Sequence, residues 1–228
     1  MRLELDGVSH AFGARQVLAD VDLVLEEPRI GIVGANGSGK STLARMLNGL
    51  VVPDRGRVRV GGLDTARDAA AVRRLVGFVF TDPDAQIVMP TVAEDVAFSL
   101  RRRRLPRAEL DARVAAALHR FGLAHLSDQP CHRLSGGEKQ LLALAAVLVT
   151  DPELVVCDEP TTLLDARNAR RVSAILAGLP QQVVMVTHQL EALSGFDRVL
   201  VVEQGRVVAD GHPVQALAAY RALIDAEG

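Results

Sequence analysis

Aromatic side chains are scarce in this sequence: six Phe, one Tyr and no Trp among 228 residues. A recognition surface built on clustered aromatic rings is therefore not expected. Cysteine is equally rare. Cys131 and Cys157 are the only two, without metal-ligand spacing or the density of a disulfide framework. Cys157 lies in an apolar run and reads as a buried, reduced thiol, which suits a reducing compartment. No uninterrupted apolar stretch is long enough to cross a bilayer, so no transmembrane segment is expected. Arg2, Glu4 and Asp6 break up the first residues where a secretory signal would be apolar. An excess of charge of one sign is also missing: 26 Lys and Arg against 28 Asp and Glu leave a net charge of -2. That balance argues against a nucleic-acid partner.

What is present suffices for one substantial core. About half of the chain is apolar (49%), and its length suits one domain, or one core with an added lobe. Two short strands are expected over 1–27 around Gly13-Ala14-Arg15, and another short apolar strand over Arg29 to Val33. A glycine-rich loop follows, then a helix from Thr42 to Leu50 and strands at Arg57 to Val60 and Leu75 to Phe80. From residue 81 the pattern turns helical between Pro83, Pro90, Pro106 and Pro130. Val114, Ala117, Leu118 and Phe121 keep a 3.6-residue period. This segment, about 82–150 with the helix at 138–149, reads as a helical lobe inserted in an α/β core. Leu154 to Cys157 and Val183 to Thr187 are continuously apolar, as strands covered on both faces are. An amphipathic helix is expected over Arg167 to Leu179. A hairpin is expected around Glu203-Gln204-Gly205, and a last helix over 213–226.

Gly34-Ala35-Asn36-Gly37-Ser38-Gly39-Lys40-Ser41 fits GxxxxGKS between a strand and a helix. Its glycines let successive N–H groups turn inward on an anion, and the following helix adds its positive end. Lys40 is expected to reach the β- and γ-phosphates of ATP, and Ser41 to offer its hydroxyl to Mg²⁺. Thr42 completes the nucleotide set. Asp158-Glu159 ends the buried strand that begins at Leu154, which puts two carboxylates at the sheet's carboxyl edge. Asp158 is the expected metal-side carboxylate. Glu159 is expected to polarise the attacking water.

Leu134-Ser135-Gly136-Gly137-Glu138-Lys139-Gln140 lies just upstream. Ser135 is positioned to cap the helix through 149, leaving the glycine N–H groups open. With these motifs the chain resembles the ATP-binding-cassette ATPases over essentially its whole length. The resemblance implies an α/β P-loop NTPase of cassette architecture, 1–228, with an antiparallel β subdomain and a helical subdomain. It implies that Ser135, Gly136, Gly137 and Glu138 meet the nucleotide of a second ATPase subunit, identical or paralogous. By the same resemblance Phe12 stacks on adenine, Asp165 links the two sites, and His188 senses the γ-phosphate beside Glu159 and Lys40. Thr81 stands where many relatives carry glutamine, and Gln86 lies five residues on. Thr81, Gln86 or a water is then expected to complete the metal shell.

The stretch Phe80 to Gln86 with Pro90 to Phe98 is similar to ATPases of energy-coupling-factor importers. That likeness implies an ATP-hydrolysing subunit on the cytoplasmic face of the cell membrane. Its partners would be an integral coupling protein and a substrate-capture protein, and its cargo a vitamin or transition-metal ion, biotin favoured. Gln86, Pro90, Thr91, Glu94 and Asp95 would border the coupling surface. The alternatives are a cytosolic cassette driving another machine, or a regulatory ATP-binding subunit. Arg101 to Arg104 read as a solvated helix end that could face anionic headgroups. His119, His125 and His132 have no metal spacing.

Overall fold

The structure is a computed structural model and describes residues 1–227. Strands β1 (Leu3–Phe12) and β2 (Arg15–Leu25) form an antiparallel pair, joined through Gly13 at φ 60°. After β3 (Arg29–Val33) and α1 (Lys40–Met46), β4 (Arg55–Val60) returns to pair with β1, and the two-residue β5 (Leu63–Asp64) adds the edge. These four strands make one sheet in the order β2-β1-β4-β5.

Helix α2 (Ala69–Leu75) leads into β6 (Val76–Val79). Helices α3 (Val92–Leu100), α4 (Arg107–Phe121) and α5 (Gly136–Leu148) follow before the chain re-enters the core as β7 (Leu154–Asp158). Then come α6 (Ala166–Ala177), β8 (Gln182–Val186), β9 (Arg198–Glu203), β10 (Arg206–Gly211) and α7 (Pro213–Glu227). The second sheet runs β10-β9-β3-β8-β7-β6, parallel except for the edge hairpin.

Every residue of β7 and β8 is buried. Their side chains alternate between two cores, as the two-residue period of a strand requires. Leu154, Val156, Val184 and Val186 pack with α1 and the antiparallel sheet, through Leu43, Met46, Leu5 and Val58. Val155, Cys157, Val183 and Met185 pack on the other side with α5, α6 and α7, through Leu144, Val172 and Leu217. The continuous apolar runs thus come from double coverage. Both cysteines are free and buried, and burial pushes the Cys157 thiol up, so it is an inert part of the core.

Three elements differ from the sequence expectations. Helix α1 starts at Lys40 and stops at Met46; Gly49, at φ 68°, turns the chain, and Leu50 N–H closes on the Arg45 carbonyl at 3.0 Å. Leu75 closes α2, a helix the apolar pattern did not announce because Val72 is its only buried residue. Phe80 lies beyond β6, its N–H taken by the Gln86 side chain at 3.1 Å. The first two strands are also long, ten and eleven residues, and bulged rather than short.

Candidate functional site

The loop 34–39 joins the end of β3 to α1. Gly39 precedes the helix at φ 108°, and a Cβ there would lie 2.5 Å from the Val17 carbonyl oxygen. Gly34 is tighter: a Cβ would fall 1.9 Å from the Val202 carbonyl oxygen. No side chain fits either place. The tip of the β9–β10 hairpin also grips the loop. Gly205 N–H donates to the Ser38 carbonyl at 2.9 Å, and Ala19 N–H donates to the Gly205 carbonyl at 2.9 Å.

Lys40 is nearly buried, and its Nζ donates to the Ala35 carbonyl at 2.7 Å across the loop. Burial lowers the affinity of its amine for a proton, while Glu159, Asp158 and Glu203 pull the other way. The Ser38 hydroxyl is buried without a partner, a polar group left open inside the cradle.

Asp158, 1% exposed, ends β7. Ser41 Oγ donates to its Oδ1 at 2.7 Å, and the Arg45 guanidinium meets Oδ2 at 3.1 Å. Strand order explains the meeting: β8 lies between β3 and β7, and α1 packs across β7 and β8. Both side chains offered for the metal shell have protein partners. Thr81 Oγ1 donates to the Asp158 carbonyl at 2.7 Å. Gln86 accepts from Phe80 N–H at 3.1 Å and donates to the Ala143 carbonyl at 3.3 Å, tying the end of β6 to α5.

Glu159 follows in the left-handed region at φ 51°, a costly conformation for a glutamate. Its N–H donates to the Val186 carbonyl at 3.0 Å, and Thr162 Oγ1 donates to its Oε2 at 2.7 Å. His188 Nδ1 lies 3.2 Å from the same Oε2. The carboxylate is thus held from two sides.

Ser135 caps α5 in a reciprocal box: its hydroxyl and N–H both donate to Glu138 Oε2, at 2.7 and 2.8 Å. Those bonds hold the Glu138 carboxyl below its ordinary range. A Cβ on Gly137 would lie 2.5 Å from the Asn168 side chain. Asp165 caps α6 by accepting from the N–H groups of Arg167 and Asn168 at 2.9 Å and from Asn168 Nδ2 at 2.7 Å. The Asn168 bonds come first in lowering its pKa. So the signature and the Asp165 loop meet through Asn168.

Phe12 ends β1 with its ring 57% exposed. It shares a cleft of about 260 Å³ with Arg15, Val17, Gly37, Gly39, Lys40, Ser41 and Thr42. Ala35 and Asn36 belong to the same loop. Arg15, Arg45 and Thr162 were not singled out from the sequence. Arg45 was reachable, because it lies four residues after Ser41 on one helix face. Among the described residues no group of three or more His, Cys, Asp or Glu could hold a metal ion, so His119, His125 and His132 join no such cluster. No helix among the described residues is long and apolar enough to cross a membrane.

A glycine cradle over a lysine, with a buried aspartate and a strained glutamate at the carboxyl edge of a parallel sheet, defines a P-loop ATPase. The sequence pattern of the ABC transporter family matches residues 18–162, and the chain belongs to that family of ATP hydrolases. It is 54% identical over 219 residues to an ABC transporter ATP-binding protein of Deinococcus radiodurans, covering 96% of this chain and 97% of the other. It is 46% identical over 223 residues to the biotin transport ATP-binding protein BioM of Rhizobium etli, covering 98% and 99%. Among solved structures, cbiO1 of Clostridium perfringens, part of the ABC transporter complex cbiONQ, superposes with a TM-score of 0.84. It shares 30% identity over 98% of this chain and 93% of that one.

Proposed function

We propose that this ATPase is the energy-coupling subunit of a membrane importer for a vitamin or transition-metal ion, with biotin the favoured cargo. The reading is carried by its end-to-end likeness to the Rhizobium etli biotin transport protein. A groove of about 340 Å³ lined by Gln86, Val88, Asp95, Phe98, Arg101 and Val147 supports it. Gln86 links that groove to the strand end beside Asp158, so movement of a partner segment there is felt at the carboxylate. The working unit is a single domain over 1–228, with a helical subdomain about 82–150. It is paired with a second ATPase subunit at the cytoplasmic membrane face.

In this reading Lys40, Ser38 and the loop N–H groups of 34–42 hold the β- and γ-phosphates, and Phe12 faces adenine. Ser41 Oγ and Asp158 Oδ1, hard oxygens already 2.7 Å apart, suit Mg²⁺, which takes few protein ligands and keeps water and phosphate oxygens. A Mg²⁺ ion held by Ser41 and Asp158 would neutralise charge on the phosphates. Thr81 holds the Asp158 carbonyl, Gln86 holds the end of the neighbouring strand, and either side chain or a water completes the metal shell. Glu159 accepts the proton of the attacking water and His188 orients it. Ser135, Gly136 and Gly137 of the second subunit close on the γ-phosphate, with Glu138 fixing the helix end and Asp165 joining the two sites.

The test is purification of the full chain from membranes, with uptake of labelled biotin measured after its gene is deleted. Recovery with an integral coupling protein and a substrate-capture protein, and loss of biotin uptake, are expected. Absence of any integral membrane partner would overturn the importer reading. Unchanged biotin uptake with loss of cobalt or nickel uptake would overturn the cargo alone.

A further inference from the structure

An exposed phenyl ring at the mouth of a nucleotide cleft needs something to hold its orientation. Phe12 has one ring neighbour among the described residues. The His10 ring lies 4.7 Å away, centroid to centroid, at 89°. Perpendicular packing is the arrangement that ring quadrupoles favour. His10 stands two residues earlier on the same strand and therefore on the same face. The pairing register of β1 with β2 shifts on both sides of His10, between Val8 and His10 and between His10 and Ala11. Such irregularities re-aim side chains.

The imidazole is confined by packing: its side chain is only 10% exposed, and although Nδ1 lies 3.1 Å from Asp54 Oδ2, neither ring nitrogen makes a hydrogen bond. The same oxygen accepts the Ala11 N–H at 2.7 Å, while Asp54 N–H donates to the Ser9 carbonyl at 3.0 Å. Asp54 thus clasps the main chain on both sides of His10. The loop before β4 is in this way connected to the cleft.

We infer that His10 is a positioning residue that fixes the Phe12 ring as the platform for the nucleotide base, with Asp54 clasping the strand that carries the imidazole. The inference rests on the reading of Phe12 as the base-stacking residue. His10 touches no substrate and acts only through Phe12.

The chain has no tryptophan, so Phe12→Trp creates a single indole whose emission reports base stacking. In that background ADP quenches the emission, and His10→Ala raises the ADP dissociation constant about five-fold and weakens the quenching at saturation. His10→Phe restores both. In the wild-type background His10→Ala raises the KM for ATP and leaves kcat unchanged. In a Phe12→Ala background, His10→Ala changes nothing further. Asp54 is exposed, so Asp54→Ala releases the Ala11 N–H beside His10 without opening the core; it raises the same constant, and it carries the test if His10→Ala does not fold. Unchanged affinity in the folded variants, or an equal loss with and without a ring at position 12, would overturn the inference. If Phe12→Ala itself leaves ADP affinity unchanged, the base-stacking reading falls first, by its own separate measurement.

Discussion

At the scale of single residues, the site is a set of carboxylates each restrained by a neighbour of known place. Asp158 is fixed by Ser41, Arg45 and the Thr81 hydroxyl on its own carbonyl. Glu159 is fixed by Thr162 and His188 and carries an unfavourable φ. That strain persists because the surrounding bonds over-determine it, and it aims the carboxylate. Glu159→Gln keeps the shape and removes the base. It should cut phosphate release about 100- to 1,000-fold while ATP affinity stays within about two-fold, measured by phosphate assay and equilibrium binding. Equal phosphate release by the two proteins would remove the catalytic assignment. The motif residues were legible in the sequence because each sits at a short, fixed spacing from its neighbours. The restraint on Asp158 by Arg45 was not, since its partner is 113 residues away. The commitment of Gln86 to Phe80 and Ala143 was also hidden, because only the packing of α5 on β6 brings those groups together.

At the scale of elements, two helix starts carry the signature and the loop after Glu159. Glu138 has its pKa lowered from the ordinary 4.5, first by the Ser135 hydroxyl. A carboxylate with a lowered folded-state pKa adds stability that is fully present above its unfolded value and lost as pH falls through the folded one. Glu138→Ala should therefore lower the thermal midpoint at pH 7 by roughly 2–4 °C, the effect of about 1 kcal/mol in a chain of this size. The gap should narrow in melting curves as pH falls below the ordinary 4.5 and close below the lowered folded-state value. A gap that persists at low pH would mean that the box does not act through its carboxylate. Strands and buried helices were readable from their apolar periods. Helix α2 was missed because it buries one residue and rests on alanine propensity. The sequence pattern overruns the end of α1 because apolar residues continue through Leu47, Leu50 and Val51, while the backbone leaves the helix after Met46 and turns at Gly49.

At the scale of the molecule, the phosphate loop and the signature helix are separate surfaces of one chain. The loop lies between β3 and α1. The signature opens α5 beside the start of α6, where Gly137 packs against Asn168. On the proposed reading, each surface offers half of what a transferring phosphoryl group needs. Glu159→Gln with MgATP should therefore run at twice the mass of the nucleotide-free protein in light scattering. Ser135→Arg should return it to the smaller species, because a long cation blocks the facing surface. A mass unaffected by ATP in the Glu159→Gln protein would argue against pairing through these surfaces.

The grip of the β9–β10 hairpin on the phosphate loop sets an order of events during synthesis. The loop is translated early, yet its floor is the Val202 carbonyl and its brace is Gly205. While the ribosome is still making the middle of the chain, the GxxxxGKS segment has its letters but not its shape. A nascent chain that ends before residue 205 has no closed cradle with which to capture ATP, however much of the sheet has already assembled. Nucleotide binding therefore comes late, after both cores have their strands. An aborted product is left unable to sequester nucleotide or to occupy a partner's signature surface.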